Sequence, residues 1–192
     1  MRIADRRLAG AEALLRWDHR QHGAVAPGLF VRLAEETGLI LPLGQLALTT
    51  ACRDAAGWRG RLAGLPVSVN VSLAQFASQD FPAEVRQVLR QTDLPPSRLV
   101  LEITETVLML DQRRAVAVLE ELRELGVRLA IDDFGTGYSS LAYLRRFPVH
   151  ELKLDGSFIN DLDQDESDRK IVEAMIMLGR SLGLETVAEG VE

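Results

Sequence analysis

Residues 128–143 read RLAIDDFGTGYSSLAY, and the rest of the chain is organised around them. Residues 129–131 have the apolar character of a short buried strand, and Asp132 and Asp133 follow where that strand would end. Two glycines then permit a tight loop and two serines open a helical pattern: Gly135, Gly137, Ser139 and Ser140. Because adjacent carboxylates repel each other unless a cation lies beside them, the stretch predicts a divalent metal at a strand end.

Composition indicates an ordinary globular chain with an acidic balance. The chain has 192 residues, is 47% hydrophobic and carries a formal charge of −6. That charge argues against a polymeric nucleic acid as a partner, but it allows a small nucleotide held through metal ions. The single cysteine, Cys52, lies in an apolar helical pattern and is interpreted as buried in a reducing compartment. With no bilayer-length apolar run and no signal peptide, we expect a cytoplasmic domain, which can still belong to a membrane-anchored protein.

Short strand patterns alternate with amphipathic helical patterns along the chain. Strands are predicted at residues 11–17, 67–72, 99–104, 129–131, 151–155 and 184–189. Helices are predicted at residues 29–37, 43–58, 82–91, 111–125 and 166–182, with a short one from residue 139 and a loop at residues 73–80. This order predicts a single domain of parallel strands joined by helical crossovers.

The faces of the strands distinguish an open doubly wound sheet from a closed barrel. In each strand, the residues of one parity (every second residue, on one face) are apolar, as in Val67, Val69 and Val71. The residues of the other parity are polar, as in Ser68 and Asn70. An open sheet covered on both faces would need apolar residues on both parities. The pattern therefore predicts an α/β fold of the TIM-like (β/α) barrel type, with functional groups at the carboxyl ends of the strands.

The polar parity gathers oxygen ligands at those strand ends. The candidates are Glu12, Asn70, Glu102, Asp132 and Glu189, with Asp133 just beyond. Such ligands suit Mg²⁺ or Mn²⁺ rather than zinc, and the three histidines are interpreted as solvated surface residues. A set of this size can hold two ions, the arrangement used for in-line attack on a phosphodiester.

Two basic residues share the polar parity. Lys153, flanked by leucines, is a candidate for orienting or helping to deprotonate the attacking water, and equally for a structural counter-ion to the carboxylates. Arg16 suits a phosphate contact, with a plain salt bridge as the alternative. Each residue alone is a weak signal, and the interpretation depends on the joint pattern.

Six motifs in order resemble those of the EAL domain, the cyclic di-GMP phosphodiesterase family. They are EALLRW at residues 12–17, NVS at 70–72, EITE at 102–105, DDFGTGYSSL at 132–141, KLD at 153–155 and EGVE at 189–192. The resemblance implies a TIM-like barrel of the EAL type with an antiparallel first strand. It also implies hydrolysis of cyclic di-GMP to linear pGpG with two Mg²⁺ or Mn²⁺ ions.

The resemblance further implies a role for each matching residue. The implied metal ligands are Glu12, Asn70, Glu102, Asp132, Asp133 and Glu189, with Asp132 bridging two ions. The implied catalytic residues are Glu12, Lys153, which contacts the nucleophilic water, and Glu105, which steadies the loop after Asp133. The implied substrate contacts are Leu14, Arg16 and Asp155, and Glu192 is associated with the active site. The implied loop and dimer residues are Gly135, Thr136, Gly137, Tyr138 and Ser139.

The ends of the sequence depart from the family pattern. Family members begin with a strand carrying a YQPI-like run and end with a helix and a strand carrying a QGY-like run, and this sequence has neither. We therefore expect a partial domain that lacks its first strand and its last strand and helix. The expected partners are cyclic di-GMP, a second copy of the chain through the region after the DDFG loop, and sensory or cyclase domains.

Two alternatives to this enzyme stay open. One is a catalytically silent cyclic di-GMP-binding or protein-interaction module of a bacterial signalling protein, which the missing ends favour and the complete ligand set does not. The other is an unrelated Mg²⁺-dependent barrel lyase, which would explain inward carboxylates but not six motifs in order.

Overall fold

The computed structural model describes residues 1–2, 5–136, 141–160 and 166–190, without the side chains of residues 141, 142 and 160. The strands are β1 (Ala11–Ala13), β2 (Trp17–His19), β3 (Gly23–Val25), β4 (Val67–Asn70), β5 (Leu99–Thr104), β6 (Arg128–Phe134), β7 (Glu151–Leu154) and β8 (Glu185–Ala188). The helices are α1 (Pro27–Thr37), α2 (Ile40–Gly57), α3 (Leu73–Phe76), α4 (Phe81–Thr92), α5 (Glu105–Leu110), α6 (Gln112–Glu124), α7 (Leu141–Leu144), α8 (Gly156–Asn160) and α9 (Glu166–Leu182).

The chain forms two compact units. The first unit is Met1–Leu101 with Leu125–Val127, and the second is Glu102–Glu124 with Arg128–Glu192. Strand β5 crosses the boundary, so that its first half belongs to the first unit and its second half to the second. None of the helices within the described ranges is long and apolar enough to cross a membrane.

The first unit has the strand order β1-β4-β5. Strands β1 and β4 are parallel, whereas β2 and β3 form a separate antiparallel hairpin. Val67 and Val69 of β4 are 2% and 3% exposed; helix α2 packs on β4, and α4 packs on α2. Cys52 of α2 is buried as predicted, and burial raises the pKa of its thiol to about 12.

The second unit has the strand order β5-β6-β7-β8, and the pairs β6·β7 and β7·β8 are parallel. Leu129, Ile131 and Leu152 are at most 1% exposed, so the apolar parity of β6 and β7 lies in the core. Helices α5 and α6 pack on β6, and α9 packs on β7 and β8. Parallel strands with helical crossovers are therefore confirmed, and α9 covers the predicted residues 166–182.

Two local predictions were wrong, and a short helix was not predicted. The run 11–17 is not one strand, because β1 ends at Ala13 and Trp17 begins the β2–β3 hairpin. Residues 73–80 are not all loop, since Ser72 and Gln75 form a capping box that opens α3. A further short helix, α5, precedes the helix predicted at residues 111–125. The prediction of a single domain stays a prediction.

His150 is also not the solvated residue that the sequence suggested. Its Nδ1 accepts a hydrogen bond of 3.1 Å from the backbone N–H of Leu129, and its own backbone N–H donates to the Leu129 carbonyl at 2.9 Å. Burial, and then the positive charges of Arg128 and Arg123, lower the pKa of His150, although Glu185 opposes them. The folded chain therefore favours the neutral imidazole at the amino-terminal ends of β6 and β7.

We predict that His150 makes the chain less stable as the pH falls. Below about pH 6.5 the unfolded histidine takes up a proton that the folded one resists, so stability is lost from there down to the folded pKa. The variant His150→Asn keeps an acceptor for the Leu129 N–H but does not titrate. Between about pH 7.5 and pH 5.5, its unfolding free energy in urea should therefore fall less than that of the wild type. The control is His22→Asn at an exposed histidine, which should lose as much unfolding free energy over this pH range as the wild type. An equal loss in His150→Asn would contradict the prediction.

Candidate active site

The first unit brings Glu12 and Asn70 together. The parallel register pairs Glu12 with Ser68, and Asn70 lies two residues further along β4, hence on the same face. The Asn70 side-chain amide donates a hydrogen bond of 2.8 Å to Glu12 Oε1. Both residues are exposed, so their remaining oxygen lone pairs are accessible to a ligand.

Sequence reasoning missed two residues that hold the chain next to Asn70. Gln75 Oε1 accepts hydrogen bonds from the backbone N–H and the hydroxyl of Ser72, at 3.3 and 3.0 Å. Gln75 is only 5% exposed and lies against Gly44 of α2, where any Cβ would collide with its amide. The spacing Ser-x-x-Gln was the signal that could have revealed this capping box.

In the second unit, one ammonium group lies among three carboxylates. Lys153 Nζ lies 2.6 Å from Glu102 Oε2, 2.5 Å from Glu189 Oε1 and 3.0 Å from Asp132 Oδ1. The side chains come from β5, β6, β7 and the residue after β8, and the Glu189 N–H holds that last segment to the Leu154 carbonyl at 3.1 Å. Lys153, Glu102 and Asp132 are 5%, 3% and 7% exposed, so the polar parity of these strands is buried.

A β-bulge places Asp133 beside Asp132. Successive residues of a regular strand point to opposite faces. Here the β6·β7 register shifts between Ile131 and Phe134, and Asp133 takes a left-handed φ of 53°. One carboxylate oxygen each of Asp132, Asp133 and Glu189 therefore lies within 4.8 Å of the other two.

The electrostatics of the cluster follow from this crowding. Burial, and then the negative charges of Asp132, Asp155 and Glu189, raise the pKa of Asp133, although Lys153 opposes them. Burial alone would lower the pKa of Lys153, but its hydrogen bond to Glu102 and the surrounding negative charge outweigh burial and raise it. Lys153 is thus an ammonium counter-ion that can donate a hydrogen bond to a water, but in this state it cannot accept a proton from one.

The donor set fits a hard divalent cation. Asp132 Oδ1 is buried and makes no hydrogen bond within the described part of the chain, because the Lys153 ammonium at 3.0 Å is unfavourably directed. A buried carboxylate oxygen without a hydrogen bond is costly, and coordination would satisfy it. Together with the nearby oxygens of Asp133 and Glu189, it presents the ligand type of Mg²⁺ and Mn²⁺.

Glu105, Thr136 and Asp155 surround the bulge. Glu105 is 2% exposed, and its Oε2 accepts a hydrogen bond of 3.2 Å from the Gly135 N–H. The Thr136 hydroxyl donates to the Asp133 carbonyl at 2.9 Å. Asp155 Oδ1 accepts from the Ser157 N–H at 2.9 Å, and hydrogen bonds from Ser157 lower the pKa of Asp155.

The other predicted residues lie elsewhere. Leu14 and Arg16 are exposed in the first unit, where the Arg16 guanidinium donates to the Leu15 carbonyl at 2.9 Å. Four predicted residues lie outside the described residues: Gly137, Tyr138, Ser139 and Glu192.

We predict that Asp133→Asn stabilises the metal-free chain. Asparagine is tolerated at a left-handed φ, and it removes one of the crowded negative charges. In EDTA, urea unfolding should give a free energy higher by about 1 kcal/mol, the order of one close like-charge contact. Asp93→Asn is the matched control, because exposed Asp93 has a φ of 54° at the end of α4. A less stable Asp133→Asn, or an equal gain in Asp93→Asn, would refute the electrostatic cause.

Comparison with known proteins places this geometry in a family. The model of the EAL domain matches residues 1–192. The chain is 50% identical over 186 residues to the bifunctional diguanylate cyclase/cyclic di-GMP phosphodiesterase MucR of Pseudomonas aeruginosa, a match of 96% of this chain and 27% of MucR. The chain thus spans about a quarter of the length of that relative.

Solved structures of EAL proteins also match this chain. The structure of the MucR phosphodiesterase in complex with c-di-GMP matches with a TM-score of 0.91 and 49% identity, over 96% of this chain and 75% of that one. A calcium and cyclic di-GMP complex of Klebsiella pneumoniae BlrP1 matches with a TM-score of 0.83 and 28% identity, over 98% of this chain and 46% of that one. The predicted TIM-like barrel fold of the EAL type is confirmed, and the chain belongs to the EAL domain family.

Proposed function

We propose that this chain is the catalytic domain of a metal-dependent phosphodiesterase that hydrolyses cyclic di-GMP to linear pGpG. The observation that carries the proposal is the buried Asp132 oxygen without a hydrogen bond, next to the oxygens of Asp133 and Glu189. The family match supports it, as do the cyclic di-GMP complexes of MucR and BlrP1, the latter with calcium.

The proposed metal ligands are those that the family resemblance assigns. They are Glu12 and Asn70 in the first unit and Glu102, Asp132, Asp133 and Glu189 in the second, and Asp132 and Asp133 would also hold a second ion. When bound there, Mg²⁺ or Mn²⁺ lowers the pKa of a coordinated water and neutralises charge on the phosphodiester. The Glu12–Asn70 hydrogen bond fixes the orientation of both side chains before a ligand arrives.

The remaining residues position water and substrate in this proposal. Lys153, an ammonium held by buried carboxylates, donates a hydrogen bond to the attacking water and orients it. Glu105 holds the backbone after Asp133 through the Gly135 N–H, which keeps the bulge in place. Leu14, Arg16 and Asp155 contact the nucleotide, with Arg16 suited to a phosphate.

We also propose that the chain works within a larger signalling protein. MucR is named as a bifunctional cyclase and phosphodiesterase, and the chain covers only 27% of it. Sensory or cyclase domains are therefore the proposed neighbours, and the proposed dimer contact lies after the DDFG loop, at Gly135, Thr136 and the three residues that follow them.

The proposal predicts that the purified chain converts cyclic di-GMP into pGpG when Mg²⁺ or Mn²⁺ is present. Liquid chromatography of the reaction should show one linear product, and excess EDTA should remove the activity because the carboxylates then lack their ion. Binding of cyclic di-GMP without turnover at any metal concentration would instead support the silent receptor.

Substitution of the proposed metal ligand Glu12 tests the role assigned to the first unit. Glu12→Ala should lower kcat/KM by at least about 100-fold, because a direct ligand is lost. Its thermal unfolding should hardly change, since Glu12 and Asn70 are exposed and water can replace their hydrogen bond. Glu36→Ala on the exposed face of α1, where Glu36 pairs with Arg32 at 3.2 Å, is the matched control and should be fully active. An unfolded Glu12→Ala would assign Glu12 a structural role.

A further inference from the structure

We propose that Lys153 competes with the divalent metal for the same carboxylates, so that this lysine holds the metal-free cluster together and lowers its metal affinity. The inference rests on the proposed function only in requiring that the cluster binds a metal. It differs from orienting a water, because it concerns the state before the metal arrives.

Three carboxylates surround the Lys153 ammonium. The group has three N–H donors, and oxygens of Glu102, Asp132 and Glu189 all lie within 3.0 Å of Nζ. Glu102 and Asp132 are 3% and 7% exposed, so solvent does little to stabilise their charges. In the absence of a metal, Lys153 is therefore the cation that offsets the buried negative charge.

All three carboxylates are proposed metal ligands, and two of them also lie next to Asp133. Asp132 and Glu189 contact Lys153, and together with Asp133 they present oxygens within 4.8 Å of one another. Ligand oxygens lie roughly 2.1 Å from Mg²⁺, so a bound ion engages carboxylates that Lys153 also contacts. It also places a second positive charge next to Nζ, and the two cations repel.

Metal binding must therefore loosen at least one Lys153 contact. The contact between Lys153 and Glu189 is the easier one to break, because the Glu189 side chain is 29% exposed whereas that of Glu102 is 3% exposed. We expect Nζ to keep its hydrogen bond to Glu102 and to leave Glu189. The free energy of that exchange is subtracted from the free energy of metal binding.

The sequence supplies a matched control. The chain has only two lysines, Lys153 and Lys170. Lys170 lies on α9, pairs with Glu166 one helical turn away at 2.8 Å, and has a side chain that is 71% exposed. The same substitution at Lys170 removes an ammonium from outside the cluster.

The test compares Lys153→Met, Lys170→Met and the wild type after removal of metal with EDTA. Mn²⁺ binding without substrate is measured by calorimetry, and the melting temperature is measured with and without Mn²⁺. For Lys153→Met we expect a metal-free melting temperature lower by about 5 °C or more, because buried carboxylates lose their cation. We also expect Mn²⁺ to bind at least about tenfold tighter, because the competing charge is gone. Lys170→Met should match the wild type.

Equal or weaker Mn²⁺ binding by Lys153→Met overturns the inference. If the wild type still hydrolyses cyclic di-GMP, the proposed function survives that result. A wild type that binds neither Mn²⁺ nor Mg²⁺ overturns both.

If Lys153→Met does not fold, a measurement on the wild type still tests the inference. In protein labelled with ¹³C at lysine Cε, the Lys153 signal should shift in step with added Mg²⁺, whereas the Lys170 signal stays in place. A Lys153 signal that is unchanged at saturating Mg²⁺ overturns the inference.

Discussion

The ion cluster around Lys153 is the contact on which the second unit depends. Burying an isolated carboxylate is prohibitively costly, and the Glu102 and Asp132 side chains lie in the interior only because an ammonium lies 2.6 and 3.0 Å from them. The cluster in turn ties together β5, β6 and β7, which supply these side chains. Burial makes the charged cluster costly in free energy. It also makes the carboxylate oxygens strong ligands for a metal ion, because little water competes with them for the ion.

Backbone features position the candidate metal ligands. The bulge in β6 turns Asp133 out of the strand alternation, and Glu105 fixes the chain just after it by accepting from the Gly135 N–H. Gly135 has a φ of 101°, and a Cβ there would collide with Met175 of α9, so no other residue fits this turn without displacing a neighbour. In the first unit, the Ser72–Gln75 capping box has a comparable role, because it fixes the backbone that begins just after Asn70.

The periodic features of this structure were accessible from the sequence. Alternating strands such as β4 and the long amphipathic helix α9 were predicted because burial imposes a period of 2 or 3.6 on the side chains. The polar parity predicted that Glu102, Asp132 and Lys153 would share a face, and their contacts agree with it.

What could not be predicted depends on tertiary contacts. The bulge at Asp133 is defined by the register of β6 against β7, which no local pattern encodes. The α5 helix has six residues, too few to form without packing on β6 and α6. His150 shows the same limit, because the Leu129 N–H whose hydrogen bond it accepts lies 21 residues earlier in the chain.

The most direct test of the central claim is the anomalous scattering of Mn²⁺ in a crystal of the full chain. We expect a peak bonded to Asp132 and Glu189, with Lys153 Nζ still close to Glu102 and no longer in contact with Glu189. Crystals soaked at saturating Mn²⁺ that show no peak at Asp132, or a peak there with all three Lys153 contacts intact, would contradict it.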